Sequence, residues 1–128
     1  MSPGNKYLVN NYSSAKYSWL KSGGNITHLY KIHNQNDLNY LFDSNKTKNQ
    51  SLLVIGNLSN TLIKDGGFNG IGIKLFGDFA TVQISSEYML VGAAVLDNYL
   101  SKFCYQRGIT GYEFLYTIPG SIGGNIYM

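Results

Sequence analysis

The stretch VIGNLSNTLIKDGGFNGIGIKL, residues 54–75, decides how this chain folds. It runs from one apolar, strand-like segment to another through a long loop rich in glycine, serine and asparagine. Glycine leaves the backbone bare, and a loop that presents bare N–H groups together binds anions such as phosphate. Glycine is also an ordinary turn residue. The stretch therefore allows two interpretations, an anion-binding loop and a plain turn.

Composition excludes several classes of protein. The chain has 128 residues, the size of one domain, and its 44% hydrophobic and 13% charged content is typical of a globular protein. Its net charge of +3 comes from scattered basic residues, which argues against nucleic-acid binding. The single cysteine, Cys104, excludes an intrachain disulfide and a cysteine-cluster metal site. No apolar run approaches the ~20 residues of a membrane span, and no signal peptide begins the chain, so we expect a cytoplasmic protein with no membrane partner.

Hydrophobic periodicity predicts a β-α-β unit in the first half of the chain. HLYKI (28–32) alternates like a strand, residues 34–47 have helical spacing, and SLLVI (51–55) is typical of a short buried strand. Residues 1–18 are polar and aperiodic, which predicts an N-terminal arm ahead of a domain over residues 19–128.

The second half is predicted to be a mixed strand and helix lobe. Residues 71–76, 80–85 and 88–93 indicate three short strands in a meander. Residues 95–108 carry an apolar stripe at helical spacing and end in glycine, which predicts a helix. The last residues, GGNIYM, look like an element that has been cut, so we expect exposed apolar surface and self-association.

Few side chains are candidates for chemistry. His28 and His33 are five residues apart around a strand and lack a partner at ligand spacing, so we expect no metal site. Cys104 lies on the apolar helical stripe, which favours a core position over a nucleophile. Asp65 is typical of a turn but is also a candidate base. Glu113 either accepts backbone N–H bonds from its own loop or contacts a ligand, and the first is favoured.

A second glycine-rich segment, residues 117–124, follows the predicted helix. Neither this segment nor residues 56–70 matches the P-loop pattern, and no G-x-G-x-x-G follows SLLVI, so the common nucleotide-binding motifs are absent. Ser59, Asn60 and Ser121 would add small hydroxyl and amide donors to bare backbone.

Four segments in order resemble a known family. They are SWLKSGG (18–24), the opening stretch 54–75, LVGAAV (90–95) and GITGYEFLYTIPGSIGG (108–124). With their order and spacing kept, they are similar to the first part of the bacterial UDP-N-acetylenolpyruvoylglucosamine reductases. The resemblance covers nearly all of residues 18–128 and implies an α+β, two-lobed FAD-binding domain of the vanillyl-alcohol-oxidase type, C-terminally incomplete and without the substrate domain.

What the resemblance implies is a flavoprotein oxidoreductase of peptidoglycan precursor synthesis, with FAD as cofactor, NADPH as cosubstrate and a nucleotide sugar as substrate. The first loop would hold the FAD pyrophosphate, and the second segment would line the flavin and dinucleotide. The implied cofactor-binding residues are Gly56, Asn57, Ser59, Asn60 and Thr61 in the first, and Ile118, Pro119, Gly120, Ser121, Gly123 and Gly124 in the second. No catalytic residue is carried over, because the family's catalytic residues belong to later parts of its sequence. The alternative is a flavin-free, inactive remnant or interaction module.

Two positions depart from the family pattern. Leu58 and Thr117 stand where glycines are expected, and a branched side chain at Leu58 should restrict φ and crowd the anion. We therefore expect FAD binding to be weakened relative to the family. Glycine at both positions should raise FAD affinity in an equilibrium titration, and an unchanged affinity would contradict the expectation.

Overall fold

The computed structural model describes residues 7–44 and 46–128. Two short 3-10 helices, Gly77–Ala80 and Glu113–Thr117, lie between regular elements of the second half. The regular elements of the described residues are, in chain order, β1 (Leu8–Ser13), α1 (Ser14–Tyr17), β2 (Asn25–Ile32), α2 (Gln35–Asp43), β3 (Leu52–Ile55), β4 (Phe68–Leu75), β5 (Val82–Ile84), β6 (Met89–Val91), α3 (Asp97–Tyr105) and α4 (Ile122–Tyr127).

The first lobe is a four-stranded mixed sheet in the order β1-β2-β4-β3. Strands β2, β4 and β3 are parallel, and β1 pairs antiparallel with β2 at the edge. Helix α2 is fixed at its start by Asn34, whose side chain accepts from the Asp37 N–H at 2.9 Å, while the Asp37 carboxylate accepts from the His33 N–H at 2.9 Å. This reciprocal cap explains why the helix begins where it does. The predicted β-α-β unit is confirmed, with β4 inserted between its two strands.

Each face of this sheet carries its own apolar cluster, because side chains alternate along the strands. Strand β3 lies at an edge and is only partly covered, so Leu52 and Val54 are exposed and Ile55 is buried. The short strand predicted at 51–55 is confirmed as β3, but the prediction that it is buried was wrong at Leu52 and Val54 for that reason. One cluster contains Tyr12, Ile26, Leu29, Ile55, Leu58 and Ile63, and the other contains Tyr30, Ile32, Leu41, Ile71 and Ile73.

The loop within residues 54–75 is the crossover between β3 and β4. Because these neighbours are parallel, residues 56–67 must return from the end of one strand to the start of the next. Leu58 and Ile63 pack on the sheet on the way. The Trp19 N–H donates to the Leu58 carbonyl at 3.3 Å, and the Gly24 N–H donates to the Ile63 carbonyl at 3.1 Å. The crossover is therefore held against both the sheet and the segment that precedes β2.

The second lobe consists of the β5-β6 hairpin, α3 and the residues that follow it. Its core contains Val95, Leu100, Cys104 and Leu115. The helix predicted over 95–108 is confirmed as α3. Leu100 and Cys104 of its apolar stripe lie in this core, whereas Leu96 and Tyr99 are exposed. With the first lobe, this gives the two-lobed α+β architecture that the resemblance implies.

Two sequence predictions are corrected by the sheet. Residues 8–17 are not an irregular arm, since β1 pairs with β2 from Leu8 opposite Tyr30 to Ser13 opposite Asn25. Residues 1–6 of that predicted arm, and Asn45 of the predicted helix 34–47, lie outside the described residues. The three-strand meander was also wrong, because β4 belongs to the first sheet and β5 pairs with β6 alone.

Close backbone packing at Gly24 gives a stability prediction. A Cβ at Gly24 would collide with the Lys64 carbonyl oxygen and lie 2.8 Å from that of Asp65, whereas a Cβ at Gly66 would meet nothing within 4 Å. We expect Gly24→Ala to lower the free energy of unfolding by about 2 kcal/mol through overpacking. Gly66→Ala, the matched control, should stay within about 0.5 kcal/mol of wild type. Urea unfolding measures both, and equal stability of the two variants would contradict the packing.

Candidate functional site

The structure brings the two glycine-rich segments together. A Cβ at Gly56, at the start of the first loop, would lie 2.8 Å from the Ser121 hydroxyl oxygen in the second segment. Further along, the Asn60 side-chain amide donates to the Met128 sulfur at 3.4 Å. Residues that are more than sixty positions apart in sequence therefore form one continuous surface.

The first loop presents unpartnered backbone donors. Gly56, Asn57, Asn60 and Thr61 are exposed and Ser59 is half-buried. Within residues 7–44 and 46–128, the N–H groups of residues 57–61 donate to no protein acceptor. Backbone N–H groups left together without partners form an electropositive surface that accepts an anion.

Leu58 takes the backbone conformation that the family pattern assigns to glycine. Its φ is +51°, in the left-handed region. Its side chain is 3% exposed and packs in the cluster with Tyr12, Ile26 and Ile55. Burial of a leucine contributes about 2 kcal/mol, which offsets the roughly 1 kcal/mol cost of the left-handed residue.

The expected crowding by Leu58 was therefore wrong, because the side chain points into the core and not to the exposed side of the loop. The other departure, Thr117, is exposed at the end of a 3-10 helix, and its φ is not in the left-handed region. Neither substitution places a side chain on the exposed side of the first loop.

The second segment is fastened along residues 93–97. The N–H groups of Ile122 and Gly123 donate to the carbonyls of Val95 and Ala93, both at 2.9 Å, and the Asp97 N–H donates to the Gly120 carbonyl at 3.3 Å. Ser121 is buried, Ile118 packs against the second-lobe core, and Pro119 and Gly124 lie nearer the surface.

Several glycines of the site are required by neighbouring protein atoms. A Cβ at Gly120 would lie 2.6 Å from the Asp97 carboxylate, and one at Gly123 would lie 2.9 Å from the Ala93 carbonyl oxygen. Gly124 differs, since its Cβ would make an ordinary contact of 3.5 Å with Ser121. The glycines at 56, 120 and 123 thus have a packing role whatever they bind, whereas Gly124 has no packing reason to be glycine.

Asp97, which no sequence pattern singled out, lies directly behind the second segment. It is fully buried at the first residue of α3. One carboxylate oxygen accepts from the Asn125 side-chain amide at 2.8 Å, and the other has no donor in good hydrogen-bonding geometry among the described residues. Burial raises the pKa of Asp97, although the Asn125 amide and the nearby Gly120 amide act in the opposite direction. An acidic residue at a helix start is an ordinary pattern, so nothing in the sequence marks this one.

The remaining candidates have local roles. Cys104 is fully buried, and burial raises the pKa of its thiol, as expected for a core cysteine. Asp65 lies in the turn closed by the Gly67 N–H and the Lys64 carbonyl. Glu113 accepts from the Gly111 N–H at 2.8 Å, which is the favoured structural role.

The two histidines do not meet. His28 contacts the Asn10 side-chain oxygen at 2.8 Å, whereas the His33 ring packs between those of Tyr7 and Phe76. In the described part of the chain, no group of three or more His, Cys, Asp and Glu side chains is placed to hold a metal ion. Nor does any helix there have the length and apolar character needed to cross a membrane.

Comparison with known proteins defines the class to which this fold and site belong. The FAD binding domain family matches residues 27–128, and the chain belongs to that family.

More particularly, the chain is similar to curated UDP-N-acetylenolpyruvoylglucosamine reductases. It is 39% identical to the protein of Rickettsia felis, 37% to that of Rickettsia massiliae and 36% to that of Rickettsia prowazekii, in each case over 91% of this chain and 39% of the relative. The crystal structure of the UDP-N-acetylenolpyruvylglucosamine reductase from Thermus caldophilus superposes with a TM-score of 0.72 at 28% identity, over 91% of this chain and 39% of that one. The chain thus spans about two fifths of the length of these relatives.

The backbone of the site fits the diphosphate of FAD. Among the described residues, the N–H groups of the first loop have no protein acceptor, and Leu58, which stands where the pattern has glycine, has its side chain in the core. A loop of this kind needs no cationic side chain to hold an anion, because the amide dipoles supply the positive field.

The strained backbone at Leu58 gives a second prediction. Leu58→Ala loses packing and keeps the strain, so we expect a loss of about 3 kcal/mol in the free energy of unfolding. Leu58→Gly loses the same packing, but glycine adopts the left-handed backbone without strain. Its free energy of unfolding should equal that of the alanine variant or exceed it by up to about 1 kcal/mol.

The control is Leu29, which is fully buried in the extended strand β2. There the usual order should hold, with alanine more stable than glycine by about 0.5–1 kcal/mol. Urea unfolding of the four variants decides the question. The same order at both positions would show that the left-handed backbone of Leu58 carries no strain.

Proposed function

We propose that this chain is the flavin-binding part of a UDP-N-acetylenolpyruvoylglucosamine reductase. Such an enzyme uses FAD and NADPH to reduce UDP-N-acetylglucosamine enolpyruvate to UDP-N-acetylmuramate for peptidoglycan synthesis. The proposal includes a cytoplasmic location and a nucleotide-sugar substrate for the whole enzyme. It takes residues 19–128, together with the strand β1 that pairs on their sheet, as the FAD-binding domain, without the substrate domain.

One observation carries the proposal. The N–H groups of residues 57–61 have no acceptor among the described residues, and they lie where the first loop meets the second glycine-rich segment. Unpaired backbone donors cost free energy unless water or a ligand satisfies them. An anionic ligand held at this junction accounts for both the free donors and the exposed glycines.

The residues have distinct proposed roles. The amides of Asn57, Ser59, Asn60 and Thr61, with the Ser59 hydroxyl and Asn60 side chain, would bind the diphosphate, and Gly56 would let the two segments approach. Pro119, Gly120, Ser121, Gly123 and Gly124 would line the flavin and dinucleotide, with Ile118 packed beneath them. When bound, FAD supplies a redox centre that accepts a hydride and passes it on. No residue of this chain is assigned to protonate or bind the enolpyruvyl group, so we expect the chain alone to show no turnover.

The exposed apolar side chains of residues 126–128 support an alternative function. Ile126, Tyr127 and Met128 are 82%, 91% and 79% exposed. A contiguous exposed apolar segment is typical of a protein-interaction surface. The alternative is thus an interaction module that persists without flavin.

Visible absorption of the purified chain separates the two functions. The chain is incubated with FAD, freed of unbound flavin by gel filtration and scanned. Retained flavin bands with a shifted maximum are expected, and they would support the reductase proposal. A folded, colourless protein at millimolar FAD would overturn it and leave the interaction module.

Substitution at Gly124 tests whether the glycines serve a ligand. Gly124 is exposed, lies in α4 and would accept a Cβ without a clash. We expect Gly124→Ala to be as stable as wild type or more stable by up to about 1 kcal/mol, because alanine is the better helix former. The methyl group would keep the dinucleotide off the backbone, so FAD affinity should fall about tenfold or more.

Gly66→Ala is the matched control, since that position is also exposed, lies in open space and is outside the proposed site. It should leave FAD affinity unchanged in the same flavin-fluorescence titration. Equal affinities of the two variants would contradict direct approach of the ligand to Gly124.

A further inference from the structure

The second glycine-rich segment is held from behind by one charged side chain. Residues 120–123 pair with residues 93–97 through the backbone bonds described above, and Leu96 bridges Ser121 in the antiparallel sense. The Asp97 carboxylate lies at the end of this pairing, fully buried, between Gly120 and Asn125. The Asn125 amide donates to it at 2.8 Å, from the second turn of α4.

Packing alone does not explain an aspartate at this position. Among the described residues, one of its oxygens is buried without a donor in good hydrogen-bonding geometry. A buried carboxylate oxygen without a partner costs stability, and an apolar side chain of similar size would avoid that cost. The room for the carboxylate also depends on Gly120, where any Cβ would approach it to 2.6 Å. Because the Asp97 carboxylate is held between Gly120 and Asn125, it fixes the position of α4 relative to the start of α3.

The joined elements include one side of the proposed site. Ser121, four residues before Asn125, has its hydroxyl 2.8 Å from where a Cβ of Gly56 would lie. A shift of α4 against α3 therefore changes the gap between the first loop and the second segment. The hydrogen bond between Asp97 and Asn125 is the side-chain contact that opposes this shift.

We propose that Asp97 is a positioning residue, which holds Asn125 and thereby fixes the Gly120–Asn125 turn at the distance from the Gly56–Thr61 loop that FAD requires. This inference rests on the proposed function for its ligand. Asp97 is fully buried, so it acts through Asn125 and the turn and not by contact with the cofactor.

A double-mutant cycle tests the proposal. Asp97→Ala and Asn125→Ala are made singly and together, and FAD affinity is measured at a temperature where circular dichroism finds each variant folded. Each single substitution should weaken FAD about tenfold, the loss typical of one hydrogen bond to a charged group. The double variant should bind no more weakly than the single ones, because both remove the same interaction. Asp97→Asn keeps an acceptor for Asn125 and should restore affinity to within about threefold of wild type.

Cys104→Ala is the control for general destabilisation. Cys104 is fully buried on α3, like Asp97, but it lies two helical turns further along the helix and packs with Leu100 and Leu115 in the second-lobe core. Its loss should lower thermal stability and leave FAD affinity unchanged. Independent, additive effects of Asp97→Ala and Asn125→Ala, or an equal loss of affinity in Cys104→Ala, would overturn the proposal.

Amide hydrogen exchange in the flavin-free protein tests the positioning role of Asp97 without relying on FAD binding. In Asn125→Ala, which changes an exposed side chain, the Ile122 and Gly123 amides should exchange at least tenfold faster, while those of β2 and β4 do not change. Faster exchange with no FAD binding by wild type would support the positioning role and reject FAD as the ligand. Unchanged exchange at Ile122 and Gly123 would reject the positioning role itself.

Discussion

The parallel pairing of β3 with β4 forces the chain to return across the sheet in twelve residues, 56–67. Two adjacent parallel strands are usually joined by a helix that covers the sheet. Here residues 56–67 make the return without a helix, and Leu58 and Ile63 supply the apolar cover that a helix would give. Without a helix, the N–H groups of residues 57–61 make no intrahelical bonds, and among the described residues they have no protein acceptor. The connection that closes the first lobe therefore leaves these donors available to a ligand or to water.

Leu58 shows how local strain and global packing are balanced in that connection. The chain needs a left-handed residue to turn away from β3, and glycine would supply it without strain. Leucine supplies it at a cost of about 1 kcal/mol, but its side chain gains more by burial among Ile26, Ile55 and Tyr12. A residue that interrupts an anion-binding pattern in the sequence is thus compatible with that pattern in the structure.

The glycines of the second segment divide into two groups only when their neighbours are known. Gly120 and Gly123 make room for Asp97 and Ala93, whereas a Cβ at Gly124 would make only an ordinary contact with Ser121 among the described residues. Turn chemistry and ligand binding therefore explain different glycines of the segment. Protein packing accounts for some of them, and the free amides of the first loop are what favour a ligand.

The sequence by itself determined the elements whose signal is local. Spacing along the chain shows the apolar stripe of α3, the β-α-β periodicity and the presence of two glycine-rich segments. The order of the segments indicated the FAD binding domain family. Only the tertiary structure decided the pairing of β1 with β2, the separation of β4 from β5, and the burial of Asp97 against Gly120 and Asn125. These depend on contacts between residues far apart in the chain, and the free energy of such contacts is not carried by the local pattern of either partner.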